Sequence, residues 1–146
     1  MFFAPVTTDK PYRIMFEHRP WYLYVAIRCE TTTYAVAKKY WSEILALQNH
    51  RRYERVLIDK DVANSMPLHD VVMLVSEISH LGCHDVKFAI YDHNYDAERC
   101  AVEEMVGTNR GLKVRMCATF QEAQTWLFAS DVHLMPTTDE TPRMAA

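Results

Sequence analysis

The residues with the widest chemical scope lie in one short stretch, where Asp59, Asp61, Asn64, Ser65, His69 and Asp70 follow one another. Carboxylates, a hydroxyl and an imidazole are the parts of a nucleophile and its base. Ser65 and His69 nevertheless make no catalytic unit, because their spacing fixes no acidic group to orient the imidazole. A second set, His80 and His84 around Gly82 and Asp92-His93 ahead of Asp96, could be drawn as a metal site. Polar residues at the ends of elements are more commonly solvated, and that reading is preferred. The chain has no G-x-S-x-G, no H-E-x-x-H and only three glycines, too few for a phosphate-cradling loop. No catalytic residue, metal ligand or cofactor is assigned, and the chain is read as no enzyme.

The Asp59–Asp70 stretch gains its interest from its place. Apolar alternation predicts strands over Tyr12–Glu17, Trp21–Cys29, Arg55–Asp59, Val86–Tyr91 and Lys113–Ala118. Apolar residues at helical spacing lie between them: Val36, Ala37, Tyr40, Trp41, Ile44, Leu45 and Leu47 after a Thr31-Thr32-Thr33 cap, then Leu68 to Ile78 after Pro67. A third helix opens at Asp96 and turns Ala101, Val102, Met105 and Val106 to the sheet; Thr119-Phe120-Gln121-Glu122 is a capping box for a fourth. The first two strands form a hairpin turned at His18-Arg19-Pro20, and the rest are βα units. Asp59–Asp70 therefore leaves the carboxyl end of a strand and enters a helix, where α/β sheets bind ligands. Turn and cap chemistry is the competing explanation for each of its residues.

Composition bounds the alternatives. The chain has 146 residues, 49% of them hydrophobic, enough for one domain with its own core. The domain is expected over 12–128, with an N-terminal arm over 1–11 and an irregular tail over 129–146. A net charge of -3 argues against a bulk electrostatic grip on nucleic acid or an anionic membrane and leaves room for a local basic patch. Cys29, Cys83, Cys100 and Cys117 form no C-x-x-C pair and are read as reduced thiols. Met1-Phe2-Phe3-Ala4-Pro5 lacks the basic and long apolar regions of a leader, and no apolar run approaches the roughly 20 residues that span a bilayer. A cytoplasmic chain with no integral membrane association is the expectation.

Clean alternation within the strands predicts helices mainly on one face of the sheet, since strands covered on both sides read as continuous apolar runs. The other face would carry Tyr22, Tyr24, Arg28, Lys87, Ala89, Tyr91, Lys113, Arg115 and Cys117. Shielding by long side chains, or tails lying across it, is the first explanation of this aromatic and basic surface. A homodimer interface through Tyr22, Tyr24, Tyr91 and Arg115 is the second, and a nucleobase platform ranks last.

The strand–loop–helix around Asp59 and the closing Phe120-Gln121-Glu122-Ala123-Gln124-Thr125-Trp126-Leu127 resemble the STAS superfamily and, within it, SpoIIAA-like domains. The resemblance spans about residues 12 to 128. It implies an α/β fold with a five-stranded mixed sheet, an opening hairpin followed by βα units, and about four helices mainly on one face. In antagonists of anti-sigma factors it further implies a serine phosphorylated in an Asp-Ser-Ser-Gly-like loop to switch partner binding. Here Met66-Pro67-Leu68-His69 stands where that motif would fall, and Ser65 is the nearby hydroxyl and the candidate for modification. The resemblance thus implies a non-enzymatic regulatory domain of bacterial signalling that meets a protein partner through Asp59, Asp61, Asn64, Ser65 and His69. The alternative it raises is a binding domain for a small apolar or lipid-like ligand held between sheet and helices.

Overall fold

Alternating residues in the first two strands place Tyr12, Ile14 and Phe16 beside Cys29, Ile27 and Val25, and this shared apolar face fixes the register of an antiparallel hairpin. The computed structural model describes residues 10–129. Strands β1 (Tyr12–Arg19) and β2 (Tyr22–Thr31) are followed by α1 (Tyr34–Arg51), β3 (Arg55–Asn64), α2 (Leu68–Ser79), β4 (Lys87–Asp92), α3 (Ala97–Asn109), β5 (Lys113–Cys117) and α4 (Phe120–Phe128). The sheet runs β1-β2-β3-β4-β5, with β1 antiparallel and the remaining neighbours parallel. This is a five-stranded mixed sheet with four helices, as expected. Most of the expected arm (1–11) and tail (129–146) falls outside the described residues, whereas 12–128 lies within them.

Helix starts follow the local chemistry. Thr33, Asp96 and Thr119 each accept backbone N–H groups from the first turn of α1, α3 and α4. Glu122 reaches back past the Thr119 cap to accept the Ala118 N–H, one residue earlier than the reciprocal bond of a capping box. Gly82 ends the α2 connection in the left-handed region, where a side chain is strained.

The hairpin turn is Pro20-Trp21, one step later than expected, because His18 and Arg19 still pair with Leu23 and Tyr22. Trp21 leaves the strand, takes a left-handed backbone (φ 77°) and is 79% exposed. In α3 the buried stripe is Cys100, Val106 and Gly107, while Ala101 and Met105 face outward. Gly107 sets that rotation, since a Cβ there would stand 2.7 Å from Val114 Cγ1.

Helices α1, α2 and α3 cover one face of the sheet, burying Val25, Ile27, Ile44, Val56, Leu74 and Phe88 in the main core. The other face is not open. Helix α4 lies on it, burying Ala123 and Leu127 against Tyr22, Tyr24, Ala26, Leu57, Ala89 and Cys117. The expectation of exposed Tyr22 and Tyr24 is therefore overturned: they are 4% and 8% exposed. The basic residues of this face have local work. Lys87 Nζ donates to the Trp126 and Ala129 carbonyls at 2.9 and 3.1 Å, and Arg55 Nε donates to Leu127 O at 3.1 Å. These cations satisfy the last carbonyls of α4 and oppose its dipole. Arg115 stays exposed, 3.6 Å from Glu104 and beside the Trp126 ring.

At the β5 edge the Met116 N–H donates to Glu104 Oε1 at 2.9 Å. Among the described residues no helix is long and apolar enough to cross a membrane.

Candidate functional site

Strand alternation distributes the Asp59–Asp70 residues over two sites that lie back to back at the carboxyl end of β3. Leu57, Asp59 and Asp61 point to the α4 side, and Ile58, Lys60 and Val62 to the side of α1, α2 and α3. β3 continues to Asn64, five residues beyond the expected strand end at Asp59, so Asp61 and Asn64 are strand residues and not the loop residues expected.

On the α4 side Asp59 is 7% exposed and surrounded by donors. The Tyr24 hydroxyl donates to Asp59 Oδ2 in a short hydrogen bond. His93 Nε2 lies 2.5 Å from Asp59 Oδ1, and Arg28 Nη1 lies 3.3 Å from the same oxygen. Arg28 also donates to the Ile27 and Asp59 carbonyls, each at 2.9 Å. Burial and the Asp59 carboxylate push the Tyr24 phenol well above its usual range. Half-buried Tyr91 stacks on His93 at 4.5 Å between ring centroids and meets Phe120 edge-on. The second imidazole nitrogen, Nδ1, is 3.8 Å from Asp61 Oδ2. Nε2 is engaged by Asp59, whereas Nδ1 stands beyond hydrogen-bond distance of the half-exposed Asp61. The group is a polar clamp, with Arg28, His93 and Asp61 forming its accessible rim.

On the opposite side Lys60 enters the core between apolar neighbours. Its side chain is 18% exposed and stands 3.9 Å from Asp92 Oδ2. Burial alone would lower the ammonium's pKa; the charge of Glu103, with Tyr40 and Asp92, outweighs it and holds the pKa above the ordinary lysine value. Glu103 accepts from Arg99 Nε at 3.2 Å, and Arg99 Nη2 donates to the Met66 carbonyl in a short hydrogen bond. This chain of contacts ties the β3–α2 connection to α3.

Lys60 and Glu103 are the charged residues lining a cavity of about 90 Å³ between the sheet and α1, α2 and α3. Its walls are otherwise apolar or aromatic and include Ile58, Met66, Val71, Leu74, Ile90 and Val114. A smaller recess of about 20 Å³ shares Lys60, Met66 and Glu103 and reaches Ser65, Thr32 and Arg99. An apolar chamber with a few convergent polar groups at one end is the general form of a small-molecule site.

The remaining expected residues fall into place around these two. Asn64 Nδ2 donates to Glu30 O and Thr31 Oγ1 at 3.3 Å each, joining the ends of β3 and β2. Ser65 is exposed at the rim of the recess. His69 is exposed in the first turn of α2 and makes no contact with Asp59. His80, His84 and His93 are dispersed: His84 contacts Gly111 O at 3.0 Å, while His93 belongs to the Asp59 clamp. Among the described residues no three His, Cys, Asp or Glu side chains are grouped as metal ligands would be. Lys60, Glu103 and Arg99 escape a sequence reading of the loop. The available signal was Lys60 itself, a charge at an inward position between Ile58 and Val62.

No family model matches the chain, and no curated protein matches it. Among solved structures it is similar to an uncharacterised protein of the DUF3478 family from Shewanella loihica PV-4, which has a SpoIIAA-like fold. The two share 13% identity over 85% of this chain and 99% of that one, with a TM-score of 0.48. The architecture itself rests on the strand order and pairing described above.

Proposed function

We propose that the chain is a non-enzymatic regulatory domain that takes a small, largely apolar molecule between its sheet and helices and signals occupancy to a protein partner through the β3–α2 segment. The cavity with Lys60 and Glu103 as its charged lining is the observation that carries this reading. Size decides the class of ligand. At about 90 Å³ the space is well below the roughly 150 Å³ of an engineered cavity that binds benzene. It suits a short branched chain or another compact group, whereas a whole acyl chain would require the helices to part. A ligand hydroxyl or amide could accept from Lys60 and donate to Glu103.

The coupling runs through Arg99. It holds the Met66 carbonyl and the Glu103 carboxylate together, so a ligand group that competes for Glu103 loosens the connection carrying Asn64 and Ser65 and leading into His69. Those exposed residues, with Asp61, are the surface offered to the partner. The Asp59 clamp supports the same surface from the other side of β3 by fixing Asp61 and Asn94; Asn94 Nδ2 donates to Val62 O at 2.8 Å.

Xenon titration followed by amide and methyl NMR tests the cavity directly. Saturable shifts confined to Met66, Val71, Leu74 and Ile90, abolished by the filling substitution Val71→Phe in a folded protein, are expected. Shifts that never saturate, or that persist unchanged in Val71→Phe, would overturn the ligand reading. Native mass spectrometry of the freshly purified chain then identifies the retained molecule by mass.

A further inference from the structure

All four parallel strands begin at one end of the sheet, and the helices return their carboxyl ends to that same end. The hairpin tip and the segments 50–55, 79–87 and 109–113 therefore form a single pole. Its cations are Arg19, Arg51, Arg52, Arg55, Arg110 and Lys113 along with buried Lys87, while its carboxylates within those segments are Glu54 and Asp85. Arg19 is held by Glu17 at 2.6 Å and Arg55 by the end of α4. Arg51, Arg52, Arg110 and Lys113 are exposed and have no ion-pair partner among the described residues. The opposite pole carries Glu30, Asp61, Asp70, Asp92, Asp96 and Glu98 together with Lys10, Arg13 and Arg28, so carboxylates outnumber cations there and the basic excess lies at the hairpin end.

Apolar side chains project from this basic end. Trp21 is 79% exposed, Leu81 66% and Phe128 41%. Trp21 is held at the hairpin tip with φ at 77°, a conformation that an L-residue of its bulk rarely takes and that glycine would adopt freely. Basic residues at helix carboxyl ends are explained by the helix dipoles alone. That explanation does not reach an exposed indole held in a strained turn, or an exposed leucine and phenylalanine at the same end.

We propose that this pole docks on an anionic lipid surface, with the Trp21 indole seated at the headgroup level and Arg51, Arg52, Arg110 and Lys113 meeting lipid phosphates. Indole prefers the membrane interface, and each Lys or Arg near an anionic leaflet adds to binding that salt screens. The acidic pole faces away, so the field of the bilayer orients the molecule. An exposed aliphatic Leu81 on the same pole suits acyl chains and has no counterpart in a nucleobase stack. The docking leaves the membrane unspanned and uses exposed side chains of the pole, none of which lines the cavity.

Vesicle flotation of the full chain tests this, comparing phosphatidylcholine vesicles with vesicles containing phosphatidylserine. Binding to the anionic vesicles only, weakened as salt rises from 0.15 to 0.5 M, is expected. Trp21→Gly relieves the turn and keeps the fold, and should weaken binding about tenfold. The double charge reversal Arg51→Glu with Arg52→Glu should abolish it. Lipids brominated near the glycerol should quench fluorescence in the parent chain and not in Trp21→Gly. Equal affinity of Trp21→Gly and parent, indifference to lipid charge, or preference for a single-stranded oligonucleotide over vesicles would each overturn the proposal.

Discussion

Replacing Asp59 by alanine withdraws the acceptor from the Tyr24 hydroxyl, which is buried with its ring and finds no water to replace it; leaving such a donor unpaired costs about 1–3 kcal/mol. The other two partners suffer less. Arg28 and His93 have about a third of their side-chain surface exposed, and Arg28 keeps its bonds to the Ile27 and Asp59 carbonyls, so each loss is about 0–1 kcal/mol. The sum is about 1–5 kcal/mol, at some 3–4 °C of Tm per kcal/mol for a chain of this length. Asp61→Ala is the control, because its carboxylate is half exposed and should cost under about 0.5 kcal/mol. Urea unfolding of the parent, Asp59→Ala, Tyr24→Phe and the double variant completes a cycle in which the double variant is less destabilised than the sum of the singles by about 1–2 kcal/mol. If Asp59→Ala falls no further than Asp61→Ala, or the two single changes add within 0.5 kcal/mol, the clamp does not exist in solution.

Further outcomes follow from burial and charge. Cys83, Cys100 and Cys117 are pushed up by burial, Cys117 to about 11, so the folded state holds these protons more tightly than the unfolded chain. Stability is thus complete below about pH 8.5 and lost as pH rises, by at most about 1.4 kcal/mol per pH unit for each thiol, with the raised phenols of Tyr12 and Tyr24 steepening the fall above about pH 10; melting from pH 7 to 11 checks the sign. A thiol reagent at neutral pH should modify Cys29 rapidly and the three buried thiols only on unfolding, which mass spectrometry resolves. Gly107→Ala brings a Cβ to 2.7 Å from Val114 and should cost about 1–2 kcal/mol net of the gain in helix propensity; a stabilised variant would mean that Val114 swings into the cavity. Lys60→Met should weaken the protein by about 1–3 kcal/mol at neutral pH by taking the nearest cation from Asp92, while Glu103 keeps Arg99, and partial recovery on acidification, followed by urea unfolding at pH 5 and 7, identifies the carboxylate.

Local periodicity made the strands, the caps and the hairpin legible, because each depends on neighbours a few residues away. The second covering layer was not legible. Tyr22, Tyr24 and Lys87 look like residues of a wet face until α4 is laid across them, and only then does Lys87 become the partner of helix carbonyls. The Thr119 cap that launches α4 was readable; the side of the sheet the helix would choose was not, since a short helix can close over either face. The site shows the same division. Asp59 and Asp61 stood out by type, yet their meeting with His93 depends on β3–β4 pairing, and that of Lys60 with Glu103 on how α3 packs. Trp21 was placed in a strand by its alternation with Leu23 and Val25, and Pro20 ahead of it moved the turn.

The contact between Glu104 and the Met116 amide governs how this sheet can grow. Its carboxylate occupies the hydrogen-bonding position that an incoming strand would need at the β5 edge. A strand adding at that edge would first have to displace Glu104, whereas the described residues of β1 pair only with β2 and carry no such side chain on their outer edge. One side chain thus guards an edge of the sheet as well as supporting β5.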